Sequence, residues 1–141
     1  MPDTFDINSV LPEEDVQFLT DKYPNYIVRQ VGAELHIVIK DFQFPENYSP
    51  EVSNLLLRLP AGYPDAAPDM FWTLPAIRLK SGSWPQNSEY QEVPGNGPGV
   101  EVYENIKWQR WSRHFCGGWI IGQHGLRSFV GTIKQELKKG I

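Results

Sequence analysis

The chain has 141 residues, among them 12 Gly, 12 Pro, five Trp and a single Cys. That length fits one domain over residues 1–141, able to bury about two-thirds of its unfolded surface, and a lone thiol excludes an internal disulfide. A formal charge of −4 with a pI near 5.3 disfavours generic binding to nucleic acid or to acidic membranes.

The opening MPDTFDINSV lacks the basic and apolar regions of a signal peptide. No apolar run reaches the roughly 18 residues of a membrane span. A cytoplasmic protein with Cys116 reduced is therefore expected. The first predicted helix runs from Pro12 to about Asp21: proline suits a first turn, Glu13, Glu14 and Asp15 favour the positive dipole end, and Val16, Leu19 and Tyr23 share a face. Pro24 stops it.

Two strand-like runs follow, Tyr26 to Gln30 and Ala33 to Phe42, with Gly32 between them. In the second, Leu35, Ile37 and Ile39 alternate with His36, Val38 and Lys40, the period of a half-buried antiparallel strand. Ser53 to Leu59 gives a third strand and Asp69 to Thr73 a fourth, across a Pro-rich corner. From Pro75 to Val100 the text is turn-rich, and PGNGPG (Pro94 to Gly99) reads as a flap. It is no phosphate loop, since the closing Gly-Lys-Ser/Thr is missing. Leu126, Phe129, Val130, Ile133 and Leu137 then recur at helical spacing, with Gly140 placed to end a helix. The order helix, four-stranded antiparallel meander, irregular stretch, helix indicates an α+β domain.

Reactive side chains concentrate in Ile106 to Trp119, IKWQRWSRHFCGGW, expected to be a loop. Its tryptophans can be core packing and its cations solvated. Alternatively, cations beside Ser112 and Cys116 would activate a nucleophile, with Gly117 and Gly118 allowing close approach of another backbone. His36, His114, Cys116 and His124 lack the paired spacing of a zinc site. Lys107, Arg110 and Arg113 between Trp108 and Trp111 could grip a single nucleic-acid strand, but the acidic total argues against it.

The sequence resembles the ubiquitin-conjugating (UBC) superfamily. LPAGYPDAAPDMFW, Leu59 to Trp72, resembles its Tyr-Pro corner, where a second proline turns the third strand into the fourth. Trp119 and the amphipathic helix after it are similar to the family's Trp and helix beyond the reactive loop, and WQRWSRH (Trp108 to His114) resembles the bacterial branch called prokaryotic family E. The resemblance implies a UBC-like fold and a carrier enzyme. Such a carrier takes a ubiquitin-like protein from an activating enzyme and passes it to a target protein, with no cofactor of its own. A non-catalytic UBC-variant module that only binds a ubiquitin-like protein is the alternative.

The departures shape the candidate site. The familiar His-Pro-Asn is absent, the later C-terminal helices are missing, and the acidic first helix differs from the basic one with which many carriers dock their activating enzyme. In the family the Cys lies roughly eight residues after the Asn and roughly eight before the Trp. Here Ser112 lies seven after Asn105 and seven before Trp119, whereas Cys116 lies eleven after and three before. Spacing points to Ser112 and chemistry to Cys116, as an oxyester or a thioester. His114 is the local candidate base, and Asn105 the oxyanion donor that the resemblance implies. Trp111, Arg110 and Arg113 are the candidate partner-binding residues.

Overall fold

A computed structural model of the chain describes residues 10–88, 100–114 and 118–141. Helix α1 (Glu13–Lys22) starts one residue later than predicted, because Pro12 takes the N-cap position and its carbonyl accepts from Asp15 and Val16. Strands β1 (Ile27–Val31) and β2 (Glu34–Gln43) form a hairpin in which Gly32 supplies a left-handed residue, φ 61°. After β3 (Tyr48–Ser49) come β4 (Val52–Leu59), β5 (Phe71–Leu74), β6 (Arg78–Leu79), β7 (Val100–Tyr103) and β8 (Ile106–Trp111). Helix α2 (Leu126–Leu137) is the last element described.

The main sheet is antiparallel throughout, in the order β1-β2-β4-β5-β8-β7, and β3 pairs with β6 in a small second sheet. The four expected strands therefore sit in a six-stranded sheet, and the two extra strands need explaining. The segment predicted as a reactive loop supplies β8 as far as Trp111. IKWQRW alternates because successive strand residues face opposite sides: Trp108 joins one apolar cluster and Trp111 the other.

The same alternation explains the unbroken SNLLLRL of β4. Leu55, Leu57 and Leu59 pack with Ile37, Ile39, Phe71 and Trp111 beneath Phe18 and Leu19 of α1 and Phe129, Val130 and Ile133 of α2. On the other face Leu56 packs with Val38, Trp72, Tyr103 and Trp108. The middle of the sheet is thus buried on both sides, and β2 is not the half-buried strand its pattern suggested. The sheet curls strongly: Arg29 of edge strand β1 meets Glu104, in the turn after edge strand β7, at 2.5 Å.

Trp111 is fully buried and stacks on Phe71 with ring centroids 5.0 Å apart. Its indole N–H donates to Thr73 Oγ1 (2.9 Å), whose hydroxyl donates to Gln109 Oε1 (2.8 Å). Gln109 also accepts from Ile77 N–H and donates to the carbonyls of Ile77 and Ser88. This satisfied buried network fastens residues 77–88 to β8, so much of the turn-rich stretch is anchored structure. PGNGPG lies outside the described residues. Trp111→Ala, which removes the stack and the donor to Thr73 Oγ1, is expected to lower unfolding free energy by about 3–5 kcal/mol in urea titrations.

Candidate active site

The Tyr-Pro corner, the segment after β8 and the start of α2 converge on one side of the domain. Tyr63 anchors the corner, its hydroxyl donating to Asp15 Oδ2 at 2.5 Å. The other oxygen of Asp15 accepts from Leu126 N–H, the first residue of α2, at 3.1 Å. Asp15 therefore caps a helix 111 residues away as well as belonging to the acidic first turn of α1. A Cβ at Gly125 would stand 2.8 Å from Asp15 Oδ1, which is why the residue before α2 has no side chain. Burial pushes the Asp15 carboxyl above the usual range, partly offset by the bonds from Tyr63 and Leu126. Burial and the Asp15 charge push the Tyr63 phenol well above its ordinary value. Trp119 completes the frame, donating from Nε1 to Pro64 O at 2.9 Å.

His114 sits at the end of this frame, and its Nδ1 lies 2.6 Å from Asp69 Oδ2. A carboxylate can only accept, so the ring hydrogen in this bond is on Nδ1, and in the neutral ring Nε2 then carries the lone pair. The His114 side chain is largely exposed and that of Asp69 about half so. Ser112, two residues upstream, lies at the surface edge, its Oγ donating to Asn87 O at 3.1 Å. Cys116 lies outside the described residues.

The other candidates are placed elsewhere. Asn105 forms a two-residue turn with Glu104, both in left-handed conformations (φ 63° and 54°), between paired Tyr103 and Ile106. Seven residues of extended chain at about 3.3 Å each then place it about 23 Å from Ser112, which removes it as an oxyanion donor there. Trp111 is buried, so it offers no surface to a partner. Arg113 is 4% exposed: it donates from Nε to Gln86 O and from a guanidinium N–H to Ile141 O, and its Nη1 lies 3.7 Å from Glu136. It ties the segment after β8 to the end of α2. Arg110 is half-buried on β8, opposite Trp72 across the β5 pairing.

Asp69 is the residue that sequence reading missed. The pairing Phe71↔Trp111 supplies the signal, because extending that antiparallel register by two places sets Asp69 opposite Arg113 and beside His114. Among the described residues, no three His, Cys, Asp or Glu side chains gather as a metal set, and no helix is long and apolar enough to cross a membrane.

An N-terminal helix, a curled antiparallel sheet, a Tyr-Pro corner and a helix launched beyond Trp119 are compatible with an E2-like, ubiquitin-conjugating type of domain. The model of prokaryotic E2 family E matches residues 11–140, and the chain belongs to that family. No curated protein matches it, and no solved structure does.

Proposed function

We propose that the protein is a conjugating carrier for a ubiquitin-like protein, with Ser112 as the acyl acceptor and His114, oriented by Asp69, as its base. The observation that carries this reading is the Asp69–His114 pair two residues beyond Ser112. The donor is the C-terminus of the ubiquitin-like protein, held as a thioester on an activating enzyme. The Ser112 hydroxyl turns from Asn87 O toward His114 Nε2 and its oxygen attacks the thioester carbonyl. An oxyester forms, the activating enzyme's sulfur leaves, and the proton taken by His114 can go to that leaving thiolate. In the second step a target amine or hydroxyl displaces Ser112, which recovers its proton.

The hydrogen bond from Ser112 to Asn87 O and the remote placement of Asn105 favour a second reading, a module that binds the ubiquitin-like protein without chemistry. A gel assay with the activating enzyme, the ubiquitin-like partner and ATP separates the two. The expected result is an adduct that survives reductant, is cleaved by hydroxide and disappears in Ser112→Ala. An adduct cleaved by reductant and lost in Cys116→Ala assigns the thiol instead. No adduct with the wild type, alongside saturable binding of the partner, establishes the module.

A further inference from the structure

At the end of the helices opposite the Tyr-Pro corner, a cavity of about 590 Å³ opens between α1, strand β2 and α2. Asp15 of α1 caps the start of α2, and Lys22, Lys134 and Leu137 near the two C-termini line the cavity together, so the helices run side by side in one direction. From Asp15 to Lys22, at about 1.5 Å per residue, α1 sets about 10 Å between the Tyr63–Asp15 bond and this cavity. Ser112, His114 and Asp69 are not among the residues that line it. Its apolar wall is made by Tyr23 and Pro45, both half-buried, and exposed Pro24, together with buried Phe42 and Leu137.

Charge is concentrated around this wall. Lys22, Lys40, Lys134 and Lys138 line the cavity and all four are exposed, with Asp41 as the one carboxylate among the described residues there. The chain as a whole carries a charge of −4, so the groove opposes the general sign. Among the described residues none of the four lysines pairs with a carboxylate, whereas Lys80 pairs with Glu51 and Lys139 with Glu136. The Lys134 ammonium stands over the aromatic wall, 5.7 Å from the Tyr23 ring centroid and 6.0 Å from that of Phe42. Helix C-termini favour cations, which accounts for Lys22, Lys134 and Lys138 singly. It does not account for Lys40: the bulge in β2 between Ile39 and Phe42, with Asp41 at φ 57°, carries Lys40 to the same cavity.

We propose that this groove docks an acidic segment of a partner protein. One aromatic or large aliphatic side chain of that segment seats against Tyr23, Pro24 and Pro45, and carboxylates on either side of it pair with the lysines. Cations from three elements around one apolar cavity match an apolar centre with a charged surround, the usual layout of a protein interface. A single compact anion would leave most of the lysines unused. The volume lies within the range of about 300–1,000 Å³ typical of ligand cavities, which admits a large side chain with its flanking backbone. A membrane is the poorer match. Polybasic attachment lays a cluster of cations against headgroups, whereas these lysines surround a concavity on a chain that anionic lipid repels overall.

The test follows backbone amide signals by NMR while the chain is titrated with a synthetic peptide of aspartate and glutamate around a central phenylalanine. Saturable shifts are expected at Tyr23, Asp41 and Lys138, with His114 unmoved. Lys40→Glu and Lys134→Glu should each weaken binding about tenfold, and Lys107→Glu, the same change of charge on β8, by less than about twofold. Lys40→Gln and Lys134→Gln, milder changes at exposed positions, should weaken it in the same direction without lowering the melting temperature. The proposal is overturned if no saturable shift appears, or if the peptide with alanine in place of phenylalanine binds as well, which marks a merely charged patch. Equal losses in Lys107→Glu and Lys40→Glu, marking unspecific attraction, overturn it too. So do shifts at the groove signals that arise from protein concentration alone, marking a second copy, or from phosphatidylserine vesicles and not the peptide, marking a membrane.

Discussion

Replacing Asp15 with Ala is expected to lower the unfolding free energy by about 2–5 kcal/mol, among the largest effects of any single side-chain change in the protein. The carboxylate is buried and joins three elements: it belongs to α1, receives the Tyr63 hydroxyl at the Tyr-Pro corner, and caps α2 through Leu126 N–H. Alanine leaves two buried donors unpaired, and each carries a desolvation cost of about 1–3 kcal/mol. It also removes a negative charge from the positive end of α2. Asp15→Asn keeps an acceptor for one donor and is expected to cost less than half as much.

The pH dependence has a definite sign. Burial raises the native pKa of Asp15 above its unfolded value, so between the two the folded chain binds more protons than the unfolded chain. The stability Asp15 contributes is full below the unfolded pKa and declines as pH rises through the raised native one. Wild type should therefore lose stability relative to Asp15→Asn across that window, which urea midpoints at successive pH values would record. A carboxylate can be costly to ionise in place and still costlier to delete.

The second large effect concerns transfer. If His114 is the base for Ser112, His114→Ala should slow single-turnover formation of the oxyester by about 10²-fold, the low end for general bases because the site is open to water. Asp69→Asn should act through the ring it orients. An amide offers its NH₂ to Nδ1, moving the ring hydrogen to Nε2, the nitrogen that must accept the proton. A comparable loss of rate is expected. Both variants should keep the wild-type unfolding free energy within about 0.5 kcal/mol, since the pair is exposed. A rate that falls only in step with stability would mark the pair as structural.

Element by element, the fold was readable where one periodicity governed a segment. The spacing of Leu126, Phe129, Val130 and Ile133 gave α2, and the alternation in β2 gave a strand, because local geometry alone decides those patterns. IKWQRW was harder: its alternation of aromatic and basic residues fits a reactive loop as well as a strand buried on both faces. Only the partners of Trp108 and Trp111 on opposite sides distinguish the two. The Asp69–His114 pair spans 45 residues and depends on the β5–β8 pairing, which no local window contains. Asp15 sits in the first turn as its sequence indicates, and its second role at α2 is hidden because a carboxylate there already has a local explanation. Asn105 fitted a motif spacing that hairpin geometry overrules.

The curl of the sheet has a consequence for association between chains. A sheet edge carries unpaired backbone groups and invites another strand, and proteins blunt such edges with charge or by covering them. Here Arg29 on edge strand β1 and Glu104 beside edge strand β7 set charged side chains at both edges and pair with each other. The pair thus sets charge beside the exposed Val31 and Val102, where a foreign strand would add, a protective role distinct from any stability it adds to the fold.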